Sequence, residues 1–164
     1  MIILGIDPGL ATLGWGAIET NGQKLCLLQY GTVLTQANTP MPQRLKAIQT
    51  GVQELICQYK PDEIAFEELF FSRNVTTALI VGAARGAAII AAAEHTENLY
   101  EYTPMQIKQA VAGYGKADKK QVQQMVKLLL SMEEIPKPDD AADGLAVAIT
   151  HAHTSHSKHL FKMK

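Results

Sequence analysis

The chain has 164 residues, of which 47% are hydrophobic and 19% are charged, and its formal net charge is −1. These values fit one globular domain with a buried core, and they exclude a disordered chain and a protein whose overall charge attracts polyanions. We expect no membrane span and no signal peptide, and the two cysteines form no CxxC pair, so the sequence favours a cytoplasmic protein.

Hydrophobic spacing and turn residues predict an antiparallel meander of three strands, because Asn21-Gly22 is a strong hairpin signal between apolar runs. Two strand–helix–strand crossovers, typical of parallel pairing, follow the meander. The predicted strands cover 2–6, 12–19, 24–35, 63–67 and 98–103, and the predicted helices cover 42–59, 74–94, 104–112, 119–132 and 139–156. The sequence therefore predicts an α/β domain over 1–158, with a five-stranded mixed sheet flanked by helices, and a basic tail at 159–164.

Two of the predicted strands end in an acid. Residues 2–6 lead directly into Asp7, and the apolar run at 64–66 leads into Glu67. Sites in open α/β sheets form at the carboxyl ends of strands, and neighbouring strands lie about 4.8 Å apart. If these strands are parallel neighbours, the two carboxylates emerge side by side and repel each other unless a cation lies between them.

The last predicted helix begins with an acidic turn, within PKPDDAADGLAVAITHAH at 136–153. We expect Asp139 to be the N-cap, and we expect Asp140 and Asp143 to share a helix face because they are three residues apart. The stripe predicted to face the core comprises Ala142, Leu145, Ala146 and Ile149. If that stripe packs near the first strand, the aspartates reach the strand's end.

Each acid also has an ordinary structural explanation. The helix dipole favours aspartates in a first turn, Asp7 suits an Asx turn before Pro8-Gly9, and Glu68 competes with Glu67 for the strand end. Taken together, however, the acids favour a shared oxygen-ligand site. Carboxylates without cysteine or nearby histidine favour Mg²⁺ or Mn²⁺ over zinc, and two such ions about 3.5–4 Å apart can promote phosphodiester cleavage.

Four stretches of the chain carry a family resemblance, namely ILGIDPG followed by GWG, IAFEELFF, QIKQAVAGYGKADKKQVQ and DDAADGLAVAITHAH. In this order, over nearly the whole chain, they closely resemble the RuvC family of bacterial Holliday-junction resolvases. The resemblance implies a ribonuclease-H-like fold, a homodimer, a divalent metal and paired symmetric nicks at a four-way DNA junction during recombination and repair. It also implies the RuvA–RuvB branch-migration complex as a partner.

The resemblance implies roles for individual residues. The implied catalytic and metal-binding acids are Asp7, Glu67, Asp140 and Asp143, with Mg²⁺ as the cofactor, Mn²⁺ as its substitute and two ions per site. It also implies DNA contacts for Lys108 and Lys119, charge stabilisation at the scissile group by Lys119, and base stacking by Phe70. Phe70 and its neighbour Phe71 suit core packing equally well.

The segment from 104 to 131 is the local concentration of positive charge, with five lysines and a single acid, Asp118. A solvated helix face is the ordinary explanation of such a segment. We nevertheless assign Lys116 and Lys120 to the DNA-binding set with the two lysines named above. Lys116 departs from the Ser or Thr that many relatives carry, so the resemblance leaves its role open.

The predicted helix 74–94 is rich in small residues, and it places Gly82, Ala83, Gly86 and Ala87 on successive turns. Small residues let two helices approach closely, so this helix suits either a second copy of the chain or the chain's own sheet. The C-terminal HAHTSHSKHLFKMK contains four histidines at spacings that can bind metal. For these histidines we favour a polar helix end that frays into the basic tail.

Three other functions compete with a metal-dependent junction nuclease. A phosphotransferase of the actin and sugar-kinase type also begins a sheet with Asp-x-Gly, but it needs two such lobes. A non-catalytic junction-binding module would use the acids only as helix caps. A related nuclease that trims ribosomal RNA precursors shares the implied fold.

Overall fold

The computed structural model describes residues 1–69 and 75–164, which form an α/β fold around a five-stranded sheet. The strands are β1 (Ile2–Asp7), β2 (Thr12–Thr20), β3 (Leu25–Leu34), β4 (Glu63–Glu67) and β5 (Leu99–Tyr102). The helices are α1 (Met41–Tyr59), α2 (Val75–Ala93), α3 (Pro104–Ala112), α4 (Lys119–Leu129), α5 (Asp139–His153) and a 3₁₀ helix at Ser155–Leu160. The predicted fold class is confirmed.

The sheet has the strand order β3-β2-β1-β4-β5. The pairs β1–β2 and β2–β3 are antiparallel, while β1–β4 and β4–β5 are parallel, as the hairpin and crossover signals predicted. Ile6 of β1 lies opposite Phe66 of β4, so the acids that follow these two residues leave the sheet at the same edge. The predicted side-by-side placement of these strand ends is therefore confirmed.

Helices cover both faces of the sheet, and each face has its own core cluster. The face that carries α3, α4 and α5 buries Ile3, Ala65, Leu145 and Ile149 among others. The opposite face, which carries α1 and α2, buries Leu4, Ile6, Ile48, Ile64 and Phe66 among others. Because β1 and β4 are buried on both faces, they appear in the sequence as continuous apolar runs.

Helix α5 lies unusually close to β1 and β2, and glycines on both sides permit this approach. A Cβ atom on Gly14 would lie 1.8 Å from the carbonyl oxygen of Asp140, and one on Gly144 would lie 2.5 Å from the Cα of Trp15. A Cβ on Gly5 would lie 2.3 Å from the carbonyl oxygen of Gly144. We call these three residues the glycine seam, and it lets the first turns of α5 contact the strand backbone directly.

Two helix predictions need correction. Pro138, not Asp139, is the N-cap of α5, and no side chain caps the helix; Asp139 is instead its first residue. Helix α4 ends at Leu129 rather than at position 132, and α5 ends at His153 rather than at 156. Backbone hydrogen bonds typical of a helix's last turn continue beyond the ends of α4 and α5. Hydrophobic periodicity alone therefore overestimates the lengths of both helices.

The C-terminal residues dock on the sheet, so the expectation of a fraying tail is wrong. The backbone N–H of Met163 donates to the carbonyl oxygen of Leu99 at 2.9 Å, and Lys162 forms an antiparallel bridge with Tyr100. The ring of Phe161 packs on that of Tyr102 with 4.9 Å between their centroids. These contacts cover part of the outer edge of β5, which otherwise has unpaired backbone groups.

Helix α2 contradicts the expectation that no segment is long and apolar enough to span a membrane. Among the residues that the structure describes, Thr76–Ala93 passes that test by length and composition, with a mean hydropathy of 1.6. One face of the helix packs against α1 and buries the small side chains of Ala84, Ala88 and Ala92. The other faces of α2 are left for contact with solvent or with a partner.

We predict that Gly14→Ala destabilises the protein by about 3 kcal/mol, because the added methyl group must displace the backbone of α5. This loss corresponds to a melting temperature roughly 6–12 °C lower. Gly31→Ala is the matched control on the neighbouring strand, since its Cβ would meet the side chain of Trp15 at 3.1 Å rather than backbone. Thermal unfolding followed by circular dichroism checks both variants, and equal losses would contradict the proposed role of the seam.

Candidate active site

The carboxyl groups of Asp7 and Glu67 meet at the carboxyl ends of β1 and β4, where they are within hydrogen-bonding contact. Burial is the main reason that the pKa of Asp7 rises to about 7 and that of Glu67 to about 8, and repulsion from neighbouring carboxylates adds to both shifts. The hydrogen bond itself lowers the pKa of Asp7 and raises that of Glu67. Near neutral pH the pair therefore retains a proton shared between its two carboxyl groups.

The first turns of α5 bring two further acids to this end of the sheet. Gly14 lies opposite Asp7 in the β1–β2 ladder and directly beneath the backbone of Asp140, which explains how the strand and the helix start come together. The negative charges of Asp143 and Asp140 both raise the pKa of Asp7. Burial raises the pKa of Asp143 itself, although the neighbouring Lys119 opposes that shift.

Lys119 enters the acid cluster from α4. A capping box fixes the start of that helix, since the carboxylate of Asp118 accepts from the N–H of Gln121 at 2.9 Å and the Gln121 side chain accepts from the N–H of Asp118 at 2.9 Å. Lys119 is the first residue after this cap, and its Nζ donates to Asp143 at 2.9 Å and lies 3.8 Å from Asp139. Burial lowers the pKa of Lys119, but its contacts with Asp143 outweigh burial and raise it overall.

These groups share one cavity of about 320 Å³ between the sheet edge, α3, α4 and α5. Its charged lining residues are Asp7, Glu67, Lys108, Lys119 and Asp143, and its apolar wall is formed by Pro104, Ile107, Val122 and Ala146. Asp140 acts on the cavity through its charge but does not line it. The structure thus brings three of the predicted acids and two of the predicted lysines to one place.

The other predicted DNA-binding residues lie elsewhere. Lys116 lines a separate cavity of about 620 Å³ on the far side of α3, together with Met105 and Phe161. Lys120 is exposed and lines neither cavity. Phe70 and Phe71 lie outside the described residues.

The acid cluster is suited to a divalent cation by its chemistry. Within residues 1–69 and 75–164, no group of three or more His, Cys, Asp or Glu side chains is already arranged to hold a metal ion. Asp143 instead bonds to Lys119, while Asp7 and Glu67 bond to each other. Burial and mutual repulsion raise the pKa values of Asp7 and Glu67 although Lys119 lowers them, so a cation would favour their ionised forms. Carboxylate oxygens are the ligands that Mg²⁺ prefers.

One buried polar group escaped the sequence analysis. We expect His151 to lie in a fraying helix end, but in the structure it is 1% exposed and bonds to Glu63. The signal was present, because Gly144, Ala148 and His151 follow each other at spacings of four and three along α5 and so share its core-facing side. Glu63 likewise opens an apolar strand.

Comparison with known proteins gives a consistent result. The model of the family described as "Crossover junction endodeoxyribonuclease RuvC" matches residues 3–151. The chain is 57% identical to the protein of that name from Alkaliphilus metalliredigens, over the full length of both chains. It is also 57% identical to the one from Heliobacterium modesticaldum, over 94% of this chain and 95% of the relative.

Solved structures agree with these sequence matches. The structure of Thermus thermophilus RuvC in complex with a Holliday junction substrate superposes with a TM-score of 0.90 at 41% identity, covering 94% of each chain. A yeast mitochondrial Holliday junction resolvase superposes with a TM-score of 0.67 at 15% identity, over 96% of this chain and 83% of its own, so it shows similarity of fold alone.

We predict that Asp7→Asn stabilises the metal-free protein at pH 8. The pKa values of Asp7 and Glu67 are raised in the folded state, so ionising them as the pH rises from about 4 to 8 costs folding free energy. The substitution removes one of these charges and should add about 1–2 kcal/mol at pH 8, or roughly 2–8 °C in melting temperature, and less at pH 5. Saturating Mg²⁺ should stabilise the wild type more at pH 8 than at pH 5.

The same melting experiments contain their control. Glu68→Gln alters the exposed neighbour of Glu67 and should leave both the pH dependence and the Mg²⁺ response unchanged. An Mg²⁺ response in Asp7→Asn as large as that of the wild type would contradict the assignment of Asp7 to a cation site.

Proposed function

The chain belongs to the RuvC family of crossover junction endodeoxyribonucleases, and we propose that its acid cluster carries out the DNA strand cleavage of that family. It is accordingly an endonuclease that resolves Holliday junctions in recombination and repair, with the ribonuclease-H-like fold of its relatives. One observation carries the proposal for the site, namely that Asp7 and Glu67 meet at one sheet edge in a cavity that they share with Asp143 and Lys119.

The family is one of divalent-metal nucleases, and we propose Mg²⁺ as the ion here, with Mn²⁺ as a substitute and two ions per site. The residues proposed to hold them are Asp7, Glu67, Asp140 and Asp143. When bound, such ions activate a water molecule and stabilise the leaving oxygen of a phosphodiester. The proton shared by Asp7 and Glu67 must leave for both carboxylates to act as ligands, so cleavage should be favoured above neutral pH.

The lysines of α3 and α4 are proposed to hold the DNA. Lys119 and Lys108 line the acid cavity, where an ammonium group can bind the phosphate next to the scissile bond and offset developing charge. Lys116 and Lys120 would extend this positive surface along the DNA, and Phe70 is proposed to stack on bases at the crossover. Because the net charge is −1, affinity for DNA depends on this local surface rather than on the whole molecule.

We propose that the protein acts as a homodimer through α2. Leu79 is 69% exposed and Ile90 is 56% exposed, and a side chain added at Gly86 would meet nothing within 4 Å. An apolar helix face this open is typical of an interface, and a two-fold dimer would present one acid cluster to each of two symmetric strands. We propose a second copy rather than a membrane as the occupant, with activity in the cytoplasm beside the RuvA–RuvB complex.

Assays with different substrates distinguish the competing functions. A phosphotransferase is disfavoured because the chain matches endonucleases over their full length. A non-catalytic junction-binding module would bind junction DNA without nicking it when Mg²⁺ is added. A nuclease for ribosomal RNA precursors would prefer structured RNA to junction DNA.

We predict that Glu67→Gln and Asp7→Asn each lower the rate of junction nicking by at least about 100-fold, since metal-derived stabilisation is worth several kcal/mol. Binding of the junction, measured by gel shift without metal, should survive both substitutions. Glu68→Gln is the matched control and should nick at nearly the wild-type rate. Rapid nicking by Glu67→Gln with Mg²⁺ would overturn the assignment.

The dimer proposal has its own test. Ile90→Asp should convert a dimer into a monomer in sedimentation equilibrium, because a charge on the α2 face opposes apolar contact. Leu128→Asp is the matched control, since Leu128 is 64% exposed on α4, outside the proposed interface. A wild-type protein that sediments as a monomer at micromolar concentration, or equal effects of both substitutions, would count against α2 as the interface.

A further inference from the structure

A buried polar network lies at the end of α5 opposite the acid cluster, and the mechanism above does not use it. Glu63 is 5% exposed and His151 is 1% exposed, and the Nε2 atom of His151 lies 2.7 Å from the carboxylate of Glu63. The other ring nitrogen of His151 lies 2.7 Å from the hydroxyl of Tyr102. Lys158, from the 3₁₀ helix, pairs with the second carboxylate oxygen of Glu63.

The protons in this network follow from burial and charge. Burial lowers the pKa of His151 more than Glu63 raises it, so the ring is neutral near pH 7. Its Nε2–H then donates to Glu63, and the hydroxyl of Tyr102 donates to Nδ1. Burial raises the pKa of Glu63, but hydrogen bonds from Lys158 and His151 outweigh it, so Glu63 is ionised and paired with Lys158.

The network connects the same two elements that carry catalytic acids. Glu63 and Glu67 are the first and last residues of β4, separated by about 13 Å at the usual rise of a strand. Asp143 and His151 are eight residues apart on α5, or about 12 Å at the usual rise of a helix. The strand and the helix therefore meet at two levels, through Glu67 with Asp143 and through Glu63 with His151.

The two levels have opposite electrostatic character. Glu67 and Asp143 repel each other, and this repulsion raises the pKa of Glu67. Glu63 and His151 attract each other through a buried hydrogen bond that involves an ionised acceptor, which is stronger than a neutral one. The glycine seam cannot substitute for this bond, because its strand glycines lie on β1 and β2 while β4 contains none.

We propose that Glu63 and His151 are positioning residues, which fix the distance between Glu67 on β4 and the acids on α5. This inference rests on the proposed function of the acid cluster as a metal site. It assigns to the far end of α5 a role in metal affinity and in the rate of cleavage, without contact with metal or DNA. Groups that orient metal ligands from behind typically change metal affinity or activity by about 10–100-fold when they are removed.

The test uses full-length His151→Phe, which keeps a planar ring of similar size but removes the hydrogen bonds to Glu63 and from Tyr102. Mn²⁺ titration, followed by the thermal unfolding of the DNA-free protein, should show a half-saturating concentration raised about tenfold. Single-turnover nicking of a four-way junction should be slowed about tenfold or more, while the metal-free affinity for the junction stays within about twofold. His151→Gln, which keeps an N–H donor, should restore most of both losses.

Two further variants make the result decisive. Ile149→Ala removes a buried side chain from the same turn of α5, and it should lower thermal stability without shifting the Mn²⁺ midpoint. Glu63→Met removes the acceptor from the strand side and should reproduce the shift, even if His151→Phe does not fold. A wild-type Mn²⁺ midpoint in Glu63→Met, or an equal shift in Ile149→Ala, would overturn the inference.

The outcomes also separate this inference from the proposed function. A wild-type protein that neither responds to Mn²⁺ nor nicks junctions would overturn both. A wild-type protein that does both, with Asp7→Asn inactive and Glu63→Met unchanged in midpoint and rate, would overturn the positioning role alone.

Discussion

The close approach of α5 to the backbone of β1 and β2 is the constraint on which the rest of the site depends. Gly14 pairs with Asp7 in the sheet and lies under the backbone of Asp140, so one residue without a side chain connects both halves of the acid cluster. A side chain in the seam would overlap the facing backbone and force the helix start away from the strands. Such a shift would move Asp140 and Asp143 away from Asp7 and weaken the charge interactions within the cluster.

Gathering acids in this way has an energetic cost that the surrounding structure must offset. Burial and mutual repulsion raise the pKa values of Asp7 and Glu67, which means that the folded protein resists ionising them. Lys119 neutralises part of the negative charge by pairing with Asp143. The apolar packing of α5 against the sheet supplies the remaining stabilisation. If the cluster binds a cation as proposed, the metal-free protein loses stability in return for cation binding, a balance common at catalytic centres.

The two ends of α5 differ in their contacts with the sheet: one end brings acids together, and the other end attaches the helix to β4. Its N-terminal turns carry Asp143, which repels Glu67 of β4, and its C-terminal turn carries His151, which bonds to Glu63 of β4. The C-terminal segment follows this bonded end, covers the edge of β5 and contributes Lys158 to the same network. On the other face of the sheet, α2 leaves apolar side chains such as Leu79 and Ile90 exposed.

The sequence by itself determined the α/β class, the order of strands and helices, and the presence of an acid at the ends of β1 and β4. These features follow from hydrophobic period, turn residues and the position of a charge after an apolar run, all of which are local along the chain. Tertiary structure alone decided that Lys119 pairs with Asp143, that His151 is buried against Glu63, and that the C-terminus docks on β5. The partners in the first two pairs lie 24 and 88 residues apart, and periodicity tells which side of an element is buried but not what it meets there.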